Sequence, residues 1–184
     1  QSLKRAEDPR LITGQGSFVD DINLPGMLHV AVLRSIHAHA LINSVDTAAA
    51  RSSPGVAVVL TSKDIAGVLR DVPSGDGIYD DKVEHIEAPQ HPVLARNKVC
   101  YVGQPVAMVA AETSYQARDA LELIQVDYEM LPPVVDTITA AIEPGIPIHE
   151  ETGTNVGIRV RHSGGDLDSS FAQADRIVSE IGRA

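Results

Sequence analysis

The sequence predicts an α+β fold, a mixed sheet with short helices packed on it. Three observations carry that expectation. Short β-branched or alternating apolar runs recur along the chain, the period-2 signal of strands. The segment from Thr113 to Ile124 instead carries a capped helical period. The elements run β-β-α-β, then β-β-α-β, then α-β, an order that lays helices on sheet.

Taken in order, residues 1–28 hold Pro9, Gly14, Gly16, Pro25 and Gly26 among polar residues, and an extended N-terminal arm is expected there. The domain proper is expected over residues 29–184. "HVAVLRS" (His29 to Ser35) and "ALINSVD" (Ala40 to Asp46) alternate as strands. Asp46 precedes the Ala-rich "TAAARSS" as a helix N-cap, with Gly55 beyond its end. "VAVVLT" (Val56 to Thr61) is the continuous β-branched run of a buried strand. From Asp64 to His91 the composition turns to Asp, Gly, Pro and Glu without period, which predicts a surface loop excursion and the segment most prone to disorder.

"KVCYVG" and "PVAMVAAE" read as two strands joined at Gly103-Gln104, a hairpin or a bulge. Thr113 and Gln116 then have capping-box spacing, and Ala117, Ala120, Leu121 and Ile124 follow on one helical face. "QVDYEML" (Gln125 to Leu131) alternates as a strand and is stopped by Pro132-Pro133. "TITAAI" has room for one helical turn or two. Asp166 caps a helix bearing Leu167, Ser170, Phe171 and Ala174 on one face, and "RIVSEI" is expected to close as a strand. The two β-β-α-β stretches have the outline of an internal repeat.

Composition bounds the function. A chain of 184 residues buries enough surface to need no staples. A formal charge of -10 with 15 Lys and Arg disfavours nucleic acid, which requires a concentrated cationic face. No apolar run is long enough for a membrane span. The single Cys100 excludes an internal disulfide and zinc-finger spacing, which fits a reducing, cytoplasmic setting.

The candidates for chemistry are few. His37 and His39 stand two apart, a spacing that puts both rings on one face of a strand, but no third metal ligand lies nearby. His29, His85, His91, His149 and His162 are scattered, so no metal site is expected. The carboxylate pairs Asp20-Asp21 and Asp80-Asp81 read as solvated. No nucleophile elbow and no phosphate loop is complete, so no catalytic residue is assigned. Gln104 is the one candidate for a cofactor or ligand contact. Between a glycine free to take positive φ and a proline that fixes direction, its amide can equally stitch a corner.

Three long stretches then resemble a known family in their order. "RAEDPRLITGQGSFVDDINLPGMLHVAVLRSIHAHALINSVDTAAARSSPGVAVVLTSKDI", "KVCYVGQPVAMVAAETSYQARDALELIQVDYEMLPPVVD" and "TNVGIRVRHSGGDLDSSFAQADRIVSE" resemble the start of the molybdenum-binding large subunit of the xanthine dehydrogenase, aldehyde oxidase and aerobic carbon monoxide dehydrogenase family. The resemblance implies an a/b hammerhead domain over residues 29–184, N-terminal in its subunit and serving as scaffold and subunit contact. It implies a parent enzyme that oxidises a C–H bond or carbon monoxide with molybdopterin cytosine dinucleotide. The partners implied are the molybdopterin-binding domains of the same subunit and the subunits carrying 2Fe-2S clusters and FAD. The family's residues at molybdenum lie downstream, so no cofactor is expected in this segment and the isolated chain is expected to be inactive. A free-standing binding module that reuses the fold is the alternative. Ile36 stands where the family usually has Pro and Cys100 where it usually has Arg, changes expected to alter packing or an interface.

Overall fold

A computed structural model of the chain describes residues 5–73, 83–86, 89–138, 145–160 and 164–179. Two compact units divide it, one within residues 1–69 and 93–132, the other within 70–92 and 133–184.

The first unit opens with an arm. Helix α1 (Asp8–Ile12) has Pro9 in its first turn, where proline's missing N–H costs nothing, and a single 3₁₀ turn follows at Val19–Asp21. The arm is thus locally helical rather than wholly extended, although neither turn contributes a buried residue. Strands β1 (His29–Arg34), β2 (Ala40–Asp46) and β3 (Val56–Thr61) follow, with the one-turn helices α2 (Ala48–Arg51) before β3 and α3 (Ser62–Ile65) after it. The predicted cap of α2 shifts by one residue. Thr47 is the N-cap position, and the Asp46 carboxylate accepts the Ala48 N–H at 2.9 Å. In the second unit, β4 (Val83–Ile86) is a strand inside the predicted excursion, much of which lies outside the described residues.

Back in the first unit, β5 (Lys98–Val99), β6 (Pro105–Ala111), α4 (Ser114–Glu122) and β7 (Gln125–Met130) complete the sequence of elements. They form two three-stranded antiparallel sheets, ordered β1-β6-β3 and β5-β2-β7. The two β-β-α-β halves are therefore interlaced. Each sheet takes its outer strands from one half and its central strand from the other. The anticipated β5–β6 hairpin does not form, because the two strands belong to different sheets; a bulge does form, where Leu33 pairs with Ala107 and Arg34 with Pro105, leaving Val106 as the extra residue.

Helix α4 packs on β1, β6 and β3, and α2 packs on β3 and α4. Between them lie Ala50, Val59, Ala107, Val109, Ala120 and Ile124; a second cluster gathers Ala40, Ala95, Val99 and Val106. Each fully buried valine stabilises the fold by about 1.5–3 kcal/mol. The start of α4 follows its sequence signal with one change. Thr113 Oγ1 accepts the Gln116 N–H, while the Gln116 amide oxygen accepts the Thr113 hydroxyl rather than its backbone N–H. The Gln116 amide lies against Gly55, whose φ is +77°, so a side chain at Gly55 would both strain the backbone and strike that amide.

In the second unit β4 pairs antiparallel with β8 (Ile158–Val160), and α5 (Leu167–Ala172) is capped by Asp166 accepting the Ser169 N–H at 3.0 Å. Residues 176–179 form no strand; Ile177 and Val178 are exposed, and the rest of "RIVSEI" lies outside the described residues. The segment "TITAAI" also falls largely outside them, after Thr137 and Ile138.

Two predictions follow from this packing. Thr113→Ala removes the N-cap acceptor and lowers stability by about 1 kcal/mol, read as a drop in the denaturation midpoint. The second concerns Asp64, held below the usual carboxylate value by hydrogen bonds from the Thr61 hydroxyl and backbone N–H, with Arg51 adding to the effect at 3.0 Å. A carboxylate with a depressed folded pKa stabilises the fold while ionised. Its contribution is complete above the unfolded value near 3.8 and is lost as pH falls through the lower folded value. Urea unfolding of Asp64→Asn across acid pH will show a shallower loss of stability below pH 4 than the parent chain.

Candidate functional site

The interlaced halves require two crossings between sheets, and these crossings meet. One is the loop from Ser35 to His39, between β1 and β2; the other runs from Cys100 to Gln104, between β5 and β6. The Ser35 N–H donates to the Gln104 carbonyl at 2.9 Å, and the Gly103 N–H donates to the Ser35 carbonyl at 2.8 Å. Gly103 adopts φ of +90°, which an L side chain resists, and its carbonyl accepts from Arg34 Nη1 at 2.9 Å.

Gln104 is buried, and its side-chain oxygen accepts the Cys100 N–H at 2.7 Å. It therefore closes its own loop, side chain to backbone, just where the chain leaves one sheet for the other. Ser35, 2% exposed, does the same for the facing loop, donating its hydroxyl to the His37 carbonyl and accepting the His37 N–H.

The two histidines part company. Both lie in the crossing loop rather than in a strand, so the period-2 argument for a shared face does not apply. The His37 ring packs edge-on against Tyr128 with centroids 4.9 Å apart. The His39 ring is 4% exposed and places Nδ1 2.8 Å from the Pro132 carbonyl. A carbonyl only accepts, so the network assigns the proton to Nδ1 and leaves Nε2 a buried acceptor with no partner among the described residues. Burial raises the pKa of Tyr128, opposed by a hydrogen bond with the Ser35 side chain.

Among the described residues no three His, Cys, Asp or Glu side chains are grouped to hold a metal. Asp20 and Asp21 sit exposed in the arm, where Asp21 accepts the Phe18 N–H. His85, Asp80, Asp81 and His162 fall among residues whose side chains are not described. His149 Nδ1 lies 3.5 Å from Glu151 in the second unit, beside a cavity of about 270 Å³ lined mainly by Val134, Ile148, Asn155 and neighbouring threonines. Ile36 is 78% exposed, whereas Cys100 is half-buried and held through its backbone by Gln104. Sequence reasoning missed Ser35 and Tyr128, for which there is no local signal. It also missed the Thr61/Asp64 box, which the T-x-x-D spacing at Thr61 would have disclosed.

Residues 13–132 match the family described as aldehyde oxidase and xanthine dehydrogenase, a/b hammerhead domain. The chain belongs to this family. The hammerhead match spans both sheets and both crossings. The gamma subunit of the 6-hydroxypseudooxynicotine dehydrogenase complex of Paenarthrobacter nicotinovorans is 40% identical over 97% of this chain and 22% of its own length. Quinoline 2-oxidoreductase from Pseudomonas putida 86 superposes with a TM-score of 0.82 at 37% identity, covering 96% of this chain and 22% of that one. The Cu,Mo carbon monoxide dehydrogenase in its carbon monoxide reduced state gives 0.73 at 39% identity, covering 95% and 22%. The hammerhead chain thus spans about a fifth of the length of each.

The crossing predicts its own test. Gln104→Leu keeps the volume but strips the Cys100 N–H of its acceptor, so urea unfolding will show a loss of about 1–3 kcal/mol.

Proposed function

We propose that the chain acts as the N-terminal hammerhead domain of a molybdenum hydroxylase large subunit, a scaffold and a subunit contact whose catalytic residues lie elsewhere in that subunit. The observation that supports it most directly is the coverage: a dehydrogenase-complex subunit matches 97% of this chain, which accounts for 22% of that subunit. The arm supports a contact role. Ile12, Phe18, Val19 and Leu24 are all at least 65% exposed in one short stretch, an arrangement suited to burial against another chain.

The cofactor implied by the family is a molybdenum-bound pterin dinucleotide, with iron–sulfur clusters and FAD on partner subunits. The residues of the crossing do not fit it as a holder. Gln104, the one candidate, is 6% exposed with its amide oxygen on the Cys100 N–H, and Ser35 turns its hydroxyl to His37. A dinucleotide diphosphate needs several free donors converging on one anion. No step of the parent chemistry is routed through this corner; its side chains position two loops. The parent's substrate class is an aldehyde, a nitrogen heterocycle or carbon monoxide, and its setting is the cytoplasm. No helix among the described residues is long and apolar enough to cross a membrane.

The purified chain, assayed with an artificial electron acceptor against aldehydes, purines and carbon monoxide, with and without added molybdopterin cofactor, will show no turnover and retain no molybdenum. Stoichiometric molybdenum with turnover would overturn the scaffold reading.

A further inference from the structure

We infer that the first unit carries a binding site for one small tetrahedral oxyanion, of the phosphate or sulfate kind, between β2 and α3. A cleft of about 110 Å³ opens there, lined by Asn43, Ser44, Ser62, Lys63, Arg96 and Asn97 together with apolar positions of β2. Its location follows from the unequal length of the strands. Strand β5 covers β2 only at Ala40 and Leu41, with Ile42 N–H reaching the Asn97 carbonyl at 2.8 Å. Beyond that point β2 has no strand on this side, and its register against β7 breaks between Ile42 and Ser44. The gap left beside the bulge is closed at one end by α3 and at the other by the chain entering β5.

The chemistry of the lining is one-sided. It contains two cations and five amide or hydroxyl side chains, Thr61 among them, and no carboxylate, in a chain whose formal charge is -10. The adjacent carboxylate, Asp64, is not among the lining residues, and both its oxygens are engaged: one accepts from Thr61 and the other from Arg51. That pairing occupies Arg51 and leaves Lys63 with no ion pair among the described residues. The side chains of Asn43, Ser44, Ser62 and Asn97 likewise make no hydrogen bond within the described structure. Arg96 has five donors, so it can hold a partner of its own and still present N–H groups to the cleft. Donors from three separate segments, with no carboxylate in the lining, suit an anion that accepts on all sides.

The cleft, at about 110 Å³, has room for a four-oxygen anion. A bound anion would join α3 to the entry of β5 and so brace the uncovered length of β2.

The test is titration of the isotopically labelled 184-residue chain with inorganic phosphate at fixed ionic strength, followed by amide chemical shifts. Saturable shifts are expected at residues 43–44, 62–63 and 96–97, with sulfate acting alike. Lys63→Met and Arg96→Gln should each weaken the apparent affinity about tenfold, the loss of one charge-assisted hydrogen bond. Lys63 is exposed and unpaired, so its variant keeps the fold even where the Arg96 variant does not. Equal shifts in chloride, or saturable binding unaltered by both substitutions, would overturn the site. Acetate saturating it in preference to phosphate would overturn the tetrahedral assignment.

Discussion

Strand β2 sits at the centre of its sheet, and each of its edges is met by backbone from the other half of the sequence, β7 along one side and β5 along the start of the other. Strand β6 has the reciprocal position between β1 and β3. A buried central strand without neighbours leaves a row of unpaired N–H and C=O groups, each as costly as a lost hydrogen bond. Neither half can therefore satisfy its own middle strand, and the unit exists only with both halves folded together. The helices follow from this arrangement, since α4 buries its alanine face on the sheet that contains β6, and α2 closes over β3 beside it.

The meeting of the crossings is the local counterpart of that exchange. A strand that changes sheets must turn without losing the hydrogen bonds of its corner, and the two corners resolve this by donating to one another through Ser35, Gly103 and Gln104. The polar side chains there, which in isolation invite a catalytic reading, serve the turn. This is why a glutamine stands between two apolar runs: an apolar residue would have left the Cys100 N–H without an acceptor at a point closed to water. His39 extends the same logic to the end of β7, with its ring on the Pro132 carbonyl and its own carbonyl accepting the Leu131 N–H.

What could be read from the sequence was local. Thr113, Gln116 and the alanine face of α4 lie within one short window, and the cap and the period agree there, so that helix was legible to within a residue or two. Alternation located β1, β2 and β7, because a half-buried strand must repeat every second residue, and continuous apolar or β-branched runs located β3 and β6. The same alternation says which face is buried and nothing about which strand lies alongside, so the interlacing was invisible even though the two halves were not. Strand β4 was missed because its partner, β8, lies far along the chain. The converse error fell on Ile177 and Val178, whose β-branched character suggested a strand where none has formed. The crossing was legible as a polar hinge at Gln104; its partner Ser35, distant in sequence, was not.

The order of pairing also has a consequence during synthesis. A ribosome adds roughly 5–20 residues per second, so about 80 residues, or roughly 4–16 s, separate the completion of β2 at Asp46 from the arrival of β7 at Gln125. Within it, from the end of β3 at Thr61 to the start of β5 at Lys98, the nascent chain carries β1, β2 and β3 with no strand that any of them pairs with in the finished unit. Their β-branched edges are open to other nascent chains and to holdase chaperones alike. Folding is held back until the second half has emerged, and the risk of aggregation is set by translation speed as much as by the stability of the completed unit.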